Sequence, residues 1–266
     1  YHEAIRDVNQ SIRLNPKNNI AYFSLGNAKS GLGDHKGAIA DYDKALEINP
    51  QGSDIHYHRA HAKGELGDYK GAIADYSRSI EANPMRAWDY LRRAYIKSKL
   101  EDYQGAIADY DKALKINPDD ADIYYHRAHA KDELGSYQGA ISDYSKAIEV
   151  NPMRAKDYSG RAYVKSKLED YQGAIADYAK ALEIDPQYSD IYYHRGNIRF
   201  KLKQYKMASA DYSRSIEVNA MRAKDYLVRG IAKELLNDLS GACSDWKVAS
   251  SLGDKLADEW VSDKCY

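Results

Sequence analysis

Residues 97–110 read KSKLEDYQGAIADY, and the same fourteen letters return at residues 165–178. The core of this stretch, GAIADY with small variations, runs through the whole chain. Its alanine stands at Ala4, Ala38, Ala72, Ala106, Ala140, Ala174, Ala208 and Ala242, always 34 residues apart with no insertion or deletion. A fixed period of that length marks an array of stacked units, each of which buries its apolar face only against its neighbours.

One unit, residues 19–52, holds two segments of helical character, 20–32 and 35–48. In the second, Ala38, Ile39, Tyr42, Ala45 and Leu46 fall on one helical face, and Lys, Asp and Glu occupy the other. Gly33 suits the left-handed end of the first helix, and Asp34 suits the cap of the second. All six prolines (Pro16, Pro50, Pro84, Pro118, Pro152 and Pro186) hold one repeat position, where they end a unit. A column of small residues (Gly26, Ala60, Ala94, Ala128, Ala162, Gly196 and Gly230) lets the first helix approach the alanines of the second.

In residues 19–52 the residues Tyr22, Leu25, Gly26, Ala38, Tyr42 and Pro50 follow an aromatic-x2-L-G, A-x3-aromatic, P pattern, and through them the chain resembles the tetratricopeptide repeat (TPR) family. The resemblance covers essentially the full length. It implies an all-α fold, a right-handed TPR superhelix closed by a C-terminal capping helix. The expected layout is the second helix of a truncated repeat at residues 1–18, seven 34-residue units at 19–252, and the cap at 253–266. Residues 1–16 read as a half unit lacking its first helix, and so as an open apolar end left by a segment preceding Tyr1. The chain's C-terminus reads as the natural one.

The departures from the family pattern are informative. Its leucine in the first helix is kept at Leu25 but becomes Arg59, Arg93, Arg127, Arg161, Arg195 and Arg229. Each second helix carries an aspartate, at Asp41, Asp75, Asp109, Asp143, Asp177, Asp211 and Asp245. The arginines are expected to lay their methylenes along the helix interface and pair with these aspartates; the alternative is an exposed guanidinium without a partner. A longer period of 68 residues, seen in Met85, Met153 and Met221, points to tandem duplication of repeat pairs.

The formal net charge of −1 gives no overall attraction for phosphate backbones or anionic membranes, so neither nucleic acid nor membrane is an expected partner. No apolar run reaches a membrane span, and the cytoplasm is the favoured compartment. Cys243 and Cys265 are read as two packed thiols, although a bridge is sterically conceivable if the last two helices pack antiparallel about Gly253 and Asp254. Leu256, Trp260 and Val261 are expected on the apolar side of the cap. The recurrent tyrosines, such as Tyr42, Tyr76 and Tyr110, read as core. No catalytic constellation, phosphate loop or cofactor site is apparent, and no enzyme activity is expected.

By the family resemblance the concave face is lined by the first helices. Its three columns begin at Phe23, Ser24 and Asn27, and the first of them also includes Leu91. The residues expected to bind a partner are Tyr57, His58, His61, Arg92, Tyr95, Tyr125, His126, His129, Tyr163, Tyr193 and His194, which combine flat contact area with polar tips. The family's clamp for a C-terminal acidic peptide is absent, since its positions hold Phe23, Asn27, His58, Trp88 and Arg92. Asp54, His58 and His61, repeated as Asp122, His126 and His129, share a helical face and could offer metal ligands, but a polar groove face is the preferred reading and no metal is assigned. The expected function is a protein-interaction scaffold for an extended or helical segment of a partner. Self-association through the open N-terminal end, giving a homo-oligomer, is the alternative.

Overall fold

The computed structural model describes residues 2–265, with side chains from Ile5 onward, and contains sixteen helices and no strand among the described residues. Two compact units divide between Ser136 and Tyr137. The first holds α1 (His2–Leu14), α2 (Asn19–Gly31), α3 (His35–Ile48), α4 (Ser53–Glu65), α5 (Tyr69–Ala82), α6 (Ala87–Lys99), α7 (Tyr103–Ile116) and α8 (Ala121–Glu133). The second holds α9 (Tyr137–Val150), α10 (Ala155–Lys167), α11 (Tyr171–Ile184), α12 (Ser189–Lys201), α13 (Tyr205–Val218), α14 (Ala223–Glu234), α15 (Leu239–Ser251) and α16 (Lys255–Lys264). Within each unit consecutive helices pack as hairpins.

Short-range chemistry sets the hairpins. Asp34 caps α3 by accepting the Gly37 N–H at 2.9 Å, and Asp68, Asp102, Asp170 and Asp238 do the same for Gly71, Gly105, Gly173 and Gly241. A Cβ at Gly37 would stand 2.1 Å from Asp34 Oδ2, so the glycine clears room for its own cap. The turn before the cap is left-handed. Gly33 sits there at φ 82°, but the same repeat position is held by Glu101 at 62°, Glu169 at 61° and Asn237 at 63°. The turn geometry thus prevails even where the residue carries a Cβ.

The alanine columns and the tyrosines form the core. Ala38, Ala72, Ala106, Ala140, Ala174, Ala208 and Ala242 are wholly buried, as are Tyr42, Tyr76, Tyr110, Tyr178 and Tyr212 to within 2%. The small residues of the first helices seat these rings: Gly26 faces Tyr42, Gly196 faces Tyr212 and Gly230 faces Trp246. Burial pushes the Tyr42 hydroxyl up to about 12 and raises those of Tyr76, Tyr110, Tyr178 and Tyr212 as well.

The arginines pair as the sequence suggests. Arg93 donates from Nε and Nη2 to the two carboxylate oxygens of Asp109 at 2.9 and 2.7 Å. Arg59 forks onto Asp75, Arg161 onto Asp177, Arg195 onto Asp211 and Arg229 onto Asp245 in the same way. A second cation one turn on joins each carboxylate, as Lys97 does Asp109 at 2.7 Å and Arg199 does Asp211 at 2.8 Å. The remaining Nη1 reaches back to the preceding hairpin, where Arg59 meets Asp43, Arg127 meets Asp111, and Arg93, Arg161 and Arg229 meet Ser77, Ser145 and Ser213. One guanidinium therefore ties three helices together. The first repeat is a natural control. Leu25 replaces the arginine there, burial raises the Asp41 carboxyl, and Lys29 alone does not offset it. Burial acts on Asp75 too, but hydrogen bonds from Arg59 and Lys63 outweigh it and hold that carboxyl below its ordinary value.

The C-terminal cap differs from expectation in two respects. Cys243 and Cys265 are joined as a disulfide with their Cα atoms 5.5 Å apart, not two free thiols, because α16 folds back along α15 and brings the positions level. Leu256 points outward, 43% exposed, while Ala257, Trp260 and Val261 pack on Trp246. The Trp246 and Trp260 rings meet edge to face at 5.2 Å.

Candidate functional site

In the first unit, α4, α6 and α8 turn one face each toward a run of three open cavities. The first, about 440 Å³, lies between Tyr57, His58, Arg86, Trp88 and Arg92. The second, about 300 Å³, lies between His61, Tyr69, Arg92, Tyr95 and Lys99. The third, about 360 Å³, is lined by Tyr95, Lys99, Tyr103, Tyr125, His126 and His129. Arg92 belongs to the first two, and Tyr95 and Lys99 to the last two, so the three make one continuous track along the helix faces. Eight of the sequence-predicted residues, Tyr57, His58, His61, Arg92, Tyr95, Tyr125, His126 and His129, line it.

The remaining three lie in the second unit, where the His194 ring neighbours Tyr193 at 5.6 Å and Tyr163 at 6.3 Å. Leu91, placed in a groove column by the sequence, is instead 6% exposed and part of the core, because its repeat turns that position toward Tyr110 and Leu114. Trp88, Lys99 and Tyr103 line the track without having been chosen as binding residues. The available signal for Trp88 was that its counterparts 68 and 136 residues on are Lys156 and Lys224.

The histidines are more than groove decoration. His58 lies edge-on to Phe23 at 5.2 Å and Tyr57 at 5.3 Å, and His126 stacks on Tyr110 at 6.3 Å with 14° between planes. His194 repeats that stack on Tyr178. Burial lowers the imidazoles of His58, His61 and His194 despite the carboxylates of Asp54, Glu65 and Asp190 beside them, so all three are neutral at pH 7. Among the described residues no group of three or more His, Cys, Asp or Glu side chains comes together to hold a metal ion. Asp54 turns to Arg86 rather than toward His58 and His61.

Family models described as "Tetratricopeptide repeat" match residues 20–51 and 121–153, and 53–84 and 189–220; a third, "TPR repeat", matches 94–132 and 160–203. The chain belongs to the tetratricopeptide repeat family. Solved structures agree on the all-α TPR fold. The C-terminal part of a TPR repeat-containing protein from Cytophaga hutchinsonii has a TM-score of 0.76 at 20% identity, over 89% of this chain and 98% of that one. A tetratricopeptide repeat protein from Parabacteroides merdae gives 0.69 at 19%, over 93% and 99%. YrrB, a TPR protein with an unusual peptide-binding site, gives 0.60 at 19%, over 70% and 97%. No curated protein matches the chain. No helix among the described residues is long and apolar enough to cross a membrane.

Each unit of this TPR array also carries a buried acid. Asp89 and Asp225 are fully buried. Burial pushes both carboxyls above the ordinary range, and hydrogen bonds from Ser79 at 2.7 Å and Ser215 at 2.5 Å, with Arg86 and Arg222 beside them, only partly offset it. A carboxyl raised in the folded state adds stability that is complete below the unfolded value near ~4 and is lost as pH rises through the folded value. Asp89→Asn keeps an oxygen for the Ser79 hydroxyl and removes the charge. Its urea midpoint should exceed that of the parent at pH 7, with the gap closing as the pH falls toward about 4. A variant less stable than the parent at pH 7 would show that the Arg86 pairing outweighs burial.

Proposed function

We propose that this TPR protein is an interaction scaffold that holds an extended or helical segment of a partner protein along the helix faces of its first unit. The observation that carries this reading is the continuity of the three cavities through Arg92, Tyr95 and Lys99, since a single segment can lie across all of them. The track offers tyrosine and histidine tips to a peptide backbone and ring faces to its side chains. YrrB, named for its peptide-binding site, shares the fold and lends the reading support. The closed Cys243–Cys265 bond favours an oxidising compartment over the cytoplasm.

The test uses the full chain against a displayed library of random dodecapeptides blocked at both ends. His61, Tyr95 and His129 each stand at the track surface, so His61→Ser/Tyr95→Ala/His129→Ser should leave the helical circular dichroism unchanged. Selected peptides should bind this variant on the order of tenfold or more weakly than the parent, as loss of central aromatic contacts does in other interfaces. Undiminished binding would move the interface elsewhere. Sedimentation of the same preparation over a concentration series addresses self-association, which a monomer throughout would disfavour.

A further inference from the structure

Tandem duplication gives this chain an internal comparison. Residues 87–116 and 155–184 differ at six positions of thirty: Trp88, Leu91, Arg92, Ile96, Asp111 and Lys115 stand against Lys156, Ser159, Gly160, Val164, Ala179 and Glu183. Four of the six leave the chemistry of the track face unchanged. Leu91 is core, Ile96 is a core residue that also borders the second cavity and is exchanged for another aliphatic side chain, Asp111 holds Arg127, and Lys115 lies on the polar side of α7. The two that change what the track presents are Trp88 and Arg92, which line the same cavity.

Their state in the structure is unusual. The Arg92 Nε is buried without a hydrogen-bond partner, and its guanidinium forms no ion pair among the described residues, whereas the neighbouring Arg93 is fully engaged by Asp109 and Ser77. It rests 5.8 Å from the centre of the Trp88 ring, which is 51% exposed. Of the acids nearby, Asp54 is held by Arg86, and Glu65, 55% exposed in its side chain, forms no ion pair with Arg92. A guanidinium with a buried, unpaired Nε and no ion pair is matched by a carboxylate, which accepts two parallel N–H groups. An exposed tryptophan at its side is matched by a flat apolar side chain. In the second unit such a site is closed, because even a Cβ at Gly160 would come within 2.5 Å of the Tyr144 ring.

Resting on the groove reading above, we infer that Trp88 and Arg92 are a specificity subsite for an acidic side chain within the partner segment, a Glu or Asp next to an aromatic or large apolar residue. The carboxylate takes the Arg92 guanidinium, and the apolar neighbour lies on Trp88. An internal residue is specified, not a chain terminus, because Arg92 borders cavities on both sides and the track continues past it in both directions.

The same end-blocked dodecapeptide library tests this on the full chain, with Arg92→Gln and Trp88→Lys beside the parent. The parent should enrich peptides with an acidic residue adjacent to an aromatic one. Arg92→Gln should lose the acidic preference, and Trp88→Lys the aromatic one. Changing Glu to Gln in a selected peptide should weaken parent binding roughly ten- to a hundredfold and leave Arg92→Gln binding nearly unchanged. Peptides without acidic enrichment, if still lost on the His61→Ser/Tyr95→Ala/His129→Ser variant, overturn the subsite and leave the groove reading standing. An empty selection, or peptides indifferent to that triple variant, overturns both.

Discussion

Arg93→Ala should cost the first unit about 3 kcal/mol of stability, a large share of what an ordinary domain has. The variant strips two hydrogen bonds from Asp109, which is 6% exposed in its side chain, and one from Ser77 on the preceding hairpin. It also uncovers the Tyr90 ring, on which the guanidinium lies at 5.8 Å. Lys97 stays within 2.7 Å of Asp109, which places the loss at the low end for a broken buried pair. Arg93→Lys should restore little, because a single ammonium cannot make the fork and would crowd Lys97. Arg93→Ala/Asp109→Ala should lose clearly less than the sum of its parts, since no uncompensated charge stays buried. Urea denaturation followed by circular dichroism checks all three. An Arg93→Ala loss below about 1 kcal/mol, the level of an ordinary surface pair, would mean that the latch does not hold the hairpins.

Tyr178→Ala in the second unit is expected to cost about 4 kcal/mol, while Tyr178→Phe should stay within about 0.5. The ring is 1% exposed, packs with Ala162, Ala174 and Ala181, and stacks on His194, so truncation leaves a cavity among small residues that cannot close it. Its hydroxyl makes no hydrogen bond with the described residues, in contrast to Tyr42, whose hydroxyl donates to Asn27 at 2.8 Å. Tyr42→Phe should therefore cost about 1 kcal/mol where Tyr178→Phe costs almost none. Because stability in a repeat array is a sum of local terms, hydrogen exchange of the α10, α11 and α12 amides should register the Tyr178→Ala loss before exchange in the first unit does. Uniform loss of protection throughout the chain would contradict that locality.

These two expectations mark how far the sequence could be read. The period of 34, the proline punctuation, the buried tyrosines and the Arg–Asp pairing were legible because each depends on helical spacing repeated in register. Repetition turns one helix face into many samples of the same rule. The D-x-x-G cap was half legible: Asp34 was read as a cap, but the glycine three residues on was not read as clearance for the cap's own carboxylate. The left-handed turns at Glu101 and Glu169 left no residue signature, since their geometry is imposed by the hairpin and not by the side chain.

The candidate site divides along the same line. Sequence alone determined the hairpin fold, the family, and eight residues that line the first unit's track, because those residues sit on a face fixed by the repeat. Only the tertiary structure decided that Leu91 turns inward, that Trp88 and Lys99 join the track, and that Arg92, unlike Arg93 beside it, is left without an acid. It also closed Cys243 on Cys265. Spacing along a helix says which side chains share a face; which partners they meet depends on what the next helix brings within a few ångströms, and that distance is set by packing.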